Sequence, residues 1–313
     1  MIEKLQFMFE TFIDKLQNDT FLTLETTPKH SATFQPVIDR IKTLGLHKQV
    51  DGFSVTDSPL AKMKYSAMFA SLKIQTAFKK PALVTMSMRD RNKIALQSAL
   101  LGANEFDIRT VLALTGDPAS MSDQPGAKGV FEGNSTLLLD IIKCFNGGID
   151  YAGKPLEVRP KTIYPFAVSN AFAKNPKNLQ KKMRLKLEHD AIGIITQPVY
   201  SLDNAKLLLE LFEKAKVEVG EKAKNAQLIL GFFPITKLRT AQFLTAHVPG
   251  VEVPKYWHEK LFAAKNEGEE AQEQTGLELS RELFTSLYRL HPKMHVMAAN
   301  NFALAKEIIS LVR

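Results

Sequence analysis

Three polar side chains stand where short apolar runs end, and their chemical types suit acid-assisted reactions on a heterocycle. They are Glu25, Asp117 and Gln197. Partial burial of Glu25 at the end of an apolar run would raise its pKa and suit it to general acid catalysis. Asp117, beside the glycine of a turn, is expected to stay ionised and to stabilise a developing cation. The amide of Gln197 offers both a hydrogen-bond donor and an acceptor to a ring edge.

A purely structural role is the alternative for Asp117. The apolar run 111–114 predicts a strand buried on both faces, which Gly116 and Pro118 then end. In an Asx-type turn, the carboxylate would satisfy only nearby N–H groups. If the sheet is parallel, however, the tip of this strand is where ligands bind. The remaining strands therefore decide between the two interpretations.

Alternating apolar and amphipathic stretches predict eight strand–helix units in 313 residues. The predicted strands are 20–26, 50–56, 81–87, 111–114, 161–168, 191–197, 227–233 and 293–299. The predicted helices include 34–46, 92–104, 135–145, 178–189, 203–219, 238–247 and 301–312. This pattern favours an α/β protein with a (β/α)8 TIM barrel over a doubly wound sheet, because no GxGxxG follows the first strand. We predict one domain over 1–313, with an extra N-terminal helix at 1–18 that could plug the bottom of the barrel.

In such a barrel, the carboxyl ends of the strands converge on one mouth. The polar residues at the predicted tips are Glu25, Thr56 with Asp57, Ser87 with Arg89, Thr115 with Asp117, Ser169 with Asn170, Thr196 with Gln197, and Asn300 with Asn301. Metal binding is a poor alternative, because the seven histidines lack HExxH spacing and Cys144 is the single cysteine. A serine triad would also lack its GxSxG elbow.

Composition limits the class of protein further. The chain is 45% hydrophobic and 24% charged, which is typical of globular proteins. It has no apolar run of about 18 residues, so no membrane span is expected. The absence of a signal peptide and the single cysteine favour a cytoplasmic location. The net charge of +8 is spread along helices without a nucleic-acid motif, so a polyanionic cofactor or substrate is preferred over nucleic acid as partner.

Seven motifs occur together in an order that resembles one known family. They are Leu-Glu-Thr-Thr-Pro (24–28), Ser-Val-Thr-Asp-Ser-Pro-Leu-Ala (54–61), Arg-Asp-Arg-Asn-Lys-Ile-Ala-Leu-Gln-Ser (89–98), Leu-Thr-Gly-Asp-Pro (114–118), Ile-Thr-Gln-Pro-Val-Tyr (195–200), Gly-Phe-Phe-Pro-Ile (231–235) and Val-Pro-Gly-Val-Glu-Val-Pro (248–254). With these motifs the chain closely resembles the methylenetetrahydrofolate reductases, which are flavin-dependent barrel enzymes of one-carbon metabolism. The branch it resembles most has its reductase module fused to a homocysteine methyltransferase in some proteins.

The resemblance implies a reaction and a role for each of the three polar residues. Glu25 matches the general acid that protonates N10 of the folate as the methylene bridge opens. Asp117 matches the aspartate that favours the iminium cation, and Gln197 matches the glutamine that touches the folate ring. Reduced FAD then delivers a hydride from N5 to the iminium carbon, which gives 5-methyltetrahydrofolate. NADH or NADPH is the expected electron donor.

The resemblance also implies the binding residues. The cofactor-binding positions are Thr56, Thr85, Leu114, Thr115, Gly116, Asn170 and Lys186, with Lys186 facing the cofactor phosphates. The substrate-binding positions are Gln197, Thr240, Leu244 and Asn301. Without the family, Lys186 could equally be a solvated lysine.

Some of these positions depart from the family pattern. Thr85 replaces a histidine, Thr115 an arginine, Ala171 a proline and Asn301 an arginine, and Leu244 aligns near a stacking phenylalanine with Phe243 one position away. The flavin and nicotinamide contacts are therefore altered, which leaves an electron-donor protein open as a partner, along with a homo-oligomer. Two other functions also stay open: a non-redox folate-binding subunit of a methyl-transfer complex, and a flavin-independent reductase.

Overall fold

A computed structural model describes the backbone of residues 2–313 and the side chains of residues 8–313. Its strands are β1 Phe21–Thr26, β2 Gly52–Val55, β3 Ala82–Ser87, β4 Thr110–Leu114, β5 Tyr164–Ser169, β6 Gly193–Pro198, β7 Gln227–Phe232 and β8 Lys293–Val296. Its α-helices are α1 Ile2–Asn18, α2 Gln35–Leu44, α3 Leu46–Gln49, α4 Ala67–Phe78, α5 Lys93–Glu105, α6 Ser135–Asn146, α7 Pro176–Glu188, α8 Leu202–Val219, α9 Leu238–His247, α10 Lys255–Glu267, α11 Glu269–Leu290 and α12 Phe302–Ile309. Met1 of the predicted N-terminal helix lies outside the described residues.

The strands form a closed parallel barrel in the order β1 to β8. Each strand pairs with its sequence neighbour, and β8 returns to β1 with Met294 opposite Leu22 and His295 opposite Thr23. This closing pair distinguishes a barrel from an open doubly wound sheet. The prediction of a (β/α)8 TIM barrel is thereby confirmed.

Side chains along each strand point alternately into the barrel and toward the surrounding helices, because successive residues of a strand face opposite sides. In β3, Leu83 belongs to the cluster inside the barrel, whereas Val84 and Met86 pack against the helices. Both faces are thus buried, which explains why the strands read as near-continuous apolar runs. Across residues 2–313, no helix combines the length and apolarity that a bilayer crossing requires.

Helix α1 fills the bottom of the barrel. Phe12 and Leu16 of this helix belong to the interior cluster, together with Phe21 and Phe166 from the strands. The ring of Phe12 lies 4.9 Å from that of Phe21. A side chain at Gly52 would meet the Phe12 ring at 2.6 Å, so the glycine makes room for it. The extra helix therefore closes one end of the barrel and leaves the other end open.

Two predicted elements end earlier than their apolar patterns suggest. The predicted helix 34–46 divides into α2 and α3 because Gly45 has a left-handed φ of 72°. The predicted strand 293–299 ends at Val296, since Ala299 and Asn300 also have left-handed backbone, with φ of 45° and 65°. Left-handed residues cannot continue a helix or a ladder.

Strand β5 begins three residues after the predicted start at Lys161. The backbone there is bound by two asparagine side chains. Asn104 donates to the carbonyl of Lys161 and accepts from its N–H at 2.7 and 3.0 Å. Asn146 does the same for Ile163, at 2.8 Å in both directions. These amides satisfy the backbone groups that a strand partner would otherwise take.

Replacing Phe12 by Ala is expected to destabilise the protein by about 3–5 kcal/mol, because the ring is fully enclosed in the bottom of the barrel. Urea unfolding followed by circular dichroism measures the change. Asp14→Ala, on the exposed face of the same helix, should cost less than about 0.5 kcal/mol. Equal losses in the two variants would show that α1 does not plug the barrel through Phe12.

Candidate active site

Polar residues at the carboxyl ends of the strands lie together at the open end of the barrel. Interior alternation runs from Phe21 to Glu25 in β1, from Leu83 to Ser87 in β3 and from Ile195 to Gln197 in β6. Because all eight strands are parallel, these side chains meet at one mouth. The structure thus brings together the tips that carry Glu25, Thr56, Ser87, Thr115, Asp117, Asn170 and Gln197.

Glu25 is an isolated carboxyl group in the wall of this mouth. It lies opposite Ser54 of β2, and within residues 8–313 no side chain forms an ion pair or hydrogen bond with it. Burial raises its pKa from 4.5 to about 7. A carboxyl group with this pKa can both give and take a proton near neutral pH.

The layer beneath Glu25 contributes no compensating charge. Thr23 and His295 face each other there, with 2.8 Å between Thr23 Oγ1 and His295 Nδ1. Burial lowers the pKa of His295 to about 4, so its imidazole is neutral at neutral pH. A neutral ring cannot stabilise the ionised form of Glu25, and the raised pKa of the carboxyl group follows from its desolvation.

Asp117 connects two loops at the mouth. Its Oδ2 accepts a hydrogen bond from the N–H of Leu60, at 2.6 Å. Leu60 belongs to the segment 58–61 after β2, in which Ser58, Leu60 and Ala61 all have left-handed φ. The carboxylate therefore holds a distant loop, whereas an Asx-type turn would have directed it to its own backbone.

The turn before Asp117 packs closely against β3. Gly116 has φ of 93°, and a Cβ there would lie 3.0 Å from Cβ of Ser87 and 3.1 Å from Cβ of Arg89. A larger residue would therefore separate the β3 and β4 tips. Two hydroxyl groups at the β2 and β3 tips, Thr56 Oγ1 and Ser87 Oγ, are buried and lack a partner in the described structure. A buried hydroxyl group without a partner costs about 1–3 kcal/mol, so these two atoms point to a ligand that satisfies them.

A charged network supports the same side of the mouth. Asp57 accepts from the N–H of Ser87 at 3.1 Å and forms an ion pair with Arg91 at 2.6 Å. Arg89 is buried and binds both carboxylate oxygens of Asp90, at 2.6 and 2.7 Å. The hydrogen bonds that Arg89 donates to Asp90, together with nearby carboxylates, raise the pKa of Arg89 above its ordinary value. The sequence pattern placed Asp57 and Arg89 at tips but missed Arg91, whose place in the Arg-Asp-Arg motif was the available signal.

The N-terminus of α6 forms a cationic corner beside β4. The N–H of Ser135 donates to Thr115 Oγ1 at 3.2 Å, and the Lys186 ammonium group donates to Ser135 Oγ. Burial, with a smaller contribution from Lys182, lowers the pKa of Lys186 to about 8. A helix N-terminus and a lysine at one point make a suitable site for a phosphate group.

Asn170 at the tip of β5 is covered by the segment 248–254. The N–H groups of Ala171 and Phe172 both donate to the carbonyl of Gly250 at 2.9 Å. A Cβ at Gly250 would lie 2.2 Å from Cγ of Asn170, and its φ is 80°. Glycine in the Val-Pro-Gly-Val-Glu-Val-Pro motif thus allows the segment to reach this tip.

The remaining predicted residues lie in different environments. Gln197 is partly exposed at the mouth, whereas Thr85 is buried in β3, and Thr240 is partly exposed on α9. Asn301 caps α12, with its Oδ1 accepting from the N–H of Leu304 at 3.3 Å. Leu244 is 6% exposed and packs in the core, while the neighbouring Phe243 is 49% exposed. The geometry of α9 thus presents Phe243 rather than Leu244 to a molecule outside the core.

The family of this chain follows from its similarity to known proteins. A sequence profile of the family described as methylenetetrahydrofolate reductase matches residues 9–313. The chain belongs to the methylenetetrahydrofolate reductase family. A curated relative, methylenetetrahydrofolate reductase 1 of Schizosaccharomyces pombe, is 26% identical over 280 residues, which cover 84% of this chain and 42% of the relative. The chain therefore spans less than half the length of that relative.

Solved structures share the barrel fold at low identity. An uncharacterised protein from Clostridium thermocellum that binds two copies of 5-methyl-5,6,7,8-tetrahydrofolic acid has a TM-score of 0.63 at 13% identity, covering 97% of this chain and 100% of its own. An F420-dependent secondary alcohol dehydrogenase in complex with an F420–acetone adduct has a TM-score of 0.58 at 13% identity, covering 94% and 99%. These likenesses concern the fold alone.

Glu25 is expected to make stability depend on pH. Because its pKa is raised from 4.5 to about 7, the folded state holds this proton more tightly than the unfolded chain does. The associated stability is present below pH 4.5 and is lost as pH rises through 7. Relative to Glu25→Gln, the wild type should lose about 2–3 kcal/mol between pH 5 and pH 8, measured by urea unfolding. Glu105→Gln, at an exposed site, should retain the wild-type dependence; an unchanged dependence in Glu25→Gln would contradict the raised pKa.

Proposed function

We propose that this protein reduces 5,10-methylenetetrahydrofolate to 5-methyltetrahydrofolate, with FAD as its bound cofactor and NADH or NADPH as electron donor. The observation that carries the proposal is the desolvated carboxyl group of Glu25 at the mouth, which within residues 8–313 has no side-chain partner. The resemblance of the Leu-Glu-Thr-Thr-Pro motif assigns this residue to the family's general acid. Folate binding by the Clostridium thermocellum protein is compatible with this assignment, since it demonstrates that this barrel fold can accept folates.

Glu25 is assigned the proton transfer. Opening the methylene bridge breaks a C–N bond, and the leaving N10 needs a proton to become a neutral amine. A carboxyl group with pKa about 7 is about half protonated at neutral pH, so its protonated form is available as a donor and gives the proton up readily. Its ionised form then returns to the protonated state by exchange with solvent at the mouth.

Asp117 and Gln197 are assigned to bind the pterin ring of the substrate and to stabilise its cationic form. The opened bridge leaves a cationic iminium group, which a nearby carboxylate stabilises electrostatically. Asp117 is fixed in place by the hydrogen bond from Leu60, so it need not reorganise as the cation forms. Gln197, partly exposed at the β6 tip, can donate to and accept from the pterin edge.

The residues around the β2, β3 and β4 tips fit a flavin. The unpartnered hydroxyl groups of Thr56 and Ser87 can bond to its polar edges, and Gly116 lets a flat ring approach the backbone. Lys186 and the N-terminus of α6 can hold its phosphates. The other positions assigned to the cofactor are Thr85, Leu114, Thr115 and Asn170. When bound and reduced by NADH or NADPH, FAD would supply the hydride, and the protein would supply placement and electrostatics.

The acid role of Glu25 is tested by separating the two half-reactions. In Glu25→Gln, reoxidation of the reduced holoenzyme by methylenetetrahydrofolate should slow by about 10²–10⁴, because the proton donor is lost. Reduction of the flavin by NADH or NADPH should stay within about three-fold of the wild-type rate. Stopped-flow absorbance at the flavin band measures both steps. Loss of both half-reactions would make Glu25 a structural residue.

The flavin site is tested through Lys186. In Lys186→Met, the dissociation constant for FAD, measured by flavin fluorescence, should rise about ten-fold or more, because a charged hydrogen bond is removed. Lys181→Met, at an exposed position of the same helix, should change it less than about two-fold.

Wild-type affinity for FAD should also fall as pH rises through about 8, where free Lys186 loses its proton. That pH dependence should be absent in Lys186→Met. A wild-type protein that remains colourless after incubation with FAD, yet binds folate, would favour the non-redox function.

A further inference from the structure

A cavity of about 330 Å³ lies at the end of the barrel opposite the mouth. Because the strands are parallel, residues that precede a strand lie away from the tips that carry Glu25 and Asp117. The basal cavity is therefore separate from the candidate active site. The residues that form it include Phe12 and Lys15 of α1, Asp51 before β2, and Lys79, Lys80 and Pro81 before β3.

The carboxylate in the basal cavity is already engaged by cations. Asp51 is the one acidic residue that lines the cavity within residues 8–313. Its Oδ1 accepts from the Lys15 ammonium group at 2.7 Å. Its Oδ2 accepts from Arg313 at 2.7 Å and from the N–H of Leu22 at 2.9 Å. Two cations thus bind this single carboxylate before the remaining lysines of the cavity are counted.

The remaining two lysines of the basal cavity have no acidic partner among the side chains that the structure describes. Lys79 is exposed, and its ammonium group takes part in no hydrogen bond or ion pair. Lys80 donates to the carbonyl of Val50 at 2.9 Å, which holds the ammonium group in place without neutralising it. Burial lowers the pKa of Lys80; Asp51 opposes this shift, and two nearby cations add to it. An anion in the cavity would relieve the repulsion among these cations.

The walls of the basal cavity are fixed by the packing of α1 under the barrel. The carbonyl of Pro81 accepts from the N–H of Phe53 at 2.9 Å, and the ring of Phe12 lies against Gly52. Lys79 has a left-handed φ of 53° where α4 ends. Helix α1 and the α4–β3 connection therefore hold their lysines around one space before any ligand binds.

We propose that the basal cavity binds a small multivalent anion with phosphate chemistry, held between Lys15 of α1 and Lys79 and Lys80 of the α4–β3 connection. Lysine ammonium groups bind phosphate oxygens through charge-assisted hydrogen bonds. Since α1 contributes one wall and one of the cations, the bound anion joins the helix that plugs the barrel to the barrel itself. The site does not depend on the reaction proposed above.

The test is amide hydrogen exchange of the full chain, followed by mass spectrometry, with pyrophosphate as the probe. Peptides within residues 8–18 report on local opening of α1, which removes one side of the basal cavity. Bound pyrophosphate should therefore slow exchange in these peptides about ten-fold at ten times its dissociation constant. Sodium chloride at equal ionic strength should change the rate less than about two-fold, because it only screens the charges.

Substitutions of the lysines locate the site. In the Lys79→Gln, Lys80→Gln double variant, half-maximal protection of α1 should need about 5- to 20-fold more pyrophosphate, as expected for two partly exposed ion pairs. Lys79→Gln alone removes no side-chain contact of residues 8–313 and should show part of this loss, so the test does not depend on the folding of the double variant. The matched control is Lys206→Gln, Lys260→Gln, which removes the same charge from exposed positions of α8 and α10 and should keep the wild-type response.

The site would be overturned if pyrophosphate left exchange in α1 unchanged, or if the Lys79 and Lys80 variants responded like the wild type. An equal loss in the control variant would attribute the effect to net charge and would also overturn the site. Inorganic phosphate distinguishes two forms of the ligand. Protection at concentrations close to those of pyrophosphate supports a single phosphate group, whereas protection by pyrophosphate alone supports a diphosphate.

Discussion

The carboxyl group of Glu25 lies in a barrel that, within residues 8–313, offers it no side-chain partner, and the chemistry assigned to the mouth depends on its desolvation. An exposed glutamate would be ionised at neutral pH and could not serve as a proton donor. A salt bridge would have the same effect, because a cation favours the charged form. The neutral Thr23–His295 pair below Glu25 avoids this by filling the barrel with polar but uncharged atoms. The barrel thus sets the protonation state of its own acid.

The charged groups of the mouth lie on the loops rather than on the wall. Asp57 after β2 forms an ion pair with Arg91 after β3, and Arg89 donates to the carbonyl of Ser58. Asp117, in the loop after β4, joins this network by accepting a hydrogen bond from the N–H of Leu60. Glu25 and Asp117 thus have different surroundings within one site, as the acid and cation-stabilising roles proposed for them require.

The sequence was sufficient to predict the barrel, because each buried parallel strand appears as an apolar run that is followed by turn residues. It was also sufficient to place Glu25 at a strand tip. It could not provide contacts between distant loops, such as Asp117 with Leu60, since local patterns hold no information about which loops meet. The apolar pattern of residues 293–299 likewise does not indicate that the backbone of Ala299 is left-handed.

The raised pKa of Glu25 underlies its assignment as a proton donor, and direct titration of its carboxyl group measures that pKa. Carbon-13 NMR of protein labelled at the glutamate side-chain carboxyl would follow each glutamate with pH, and the signal absent from Glu25→Gln identifies this residue. A midpoint of about 7 is expected. A midpoint near 4.5, the ordinary value for glutamate, would contradict it and would remove the basis for a general acid at this position.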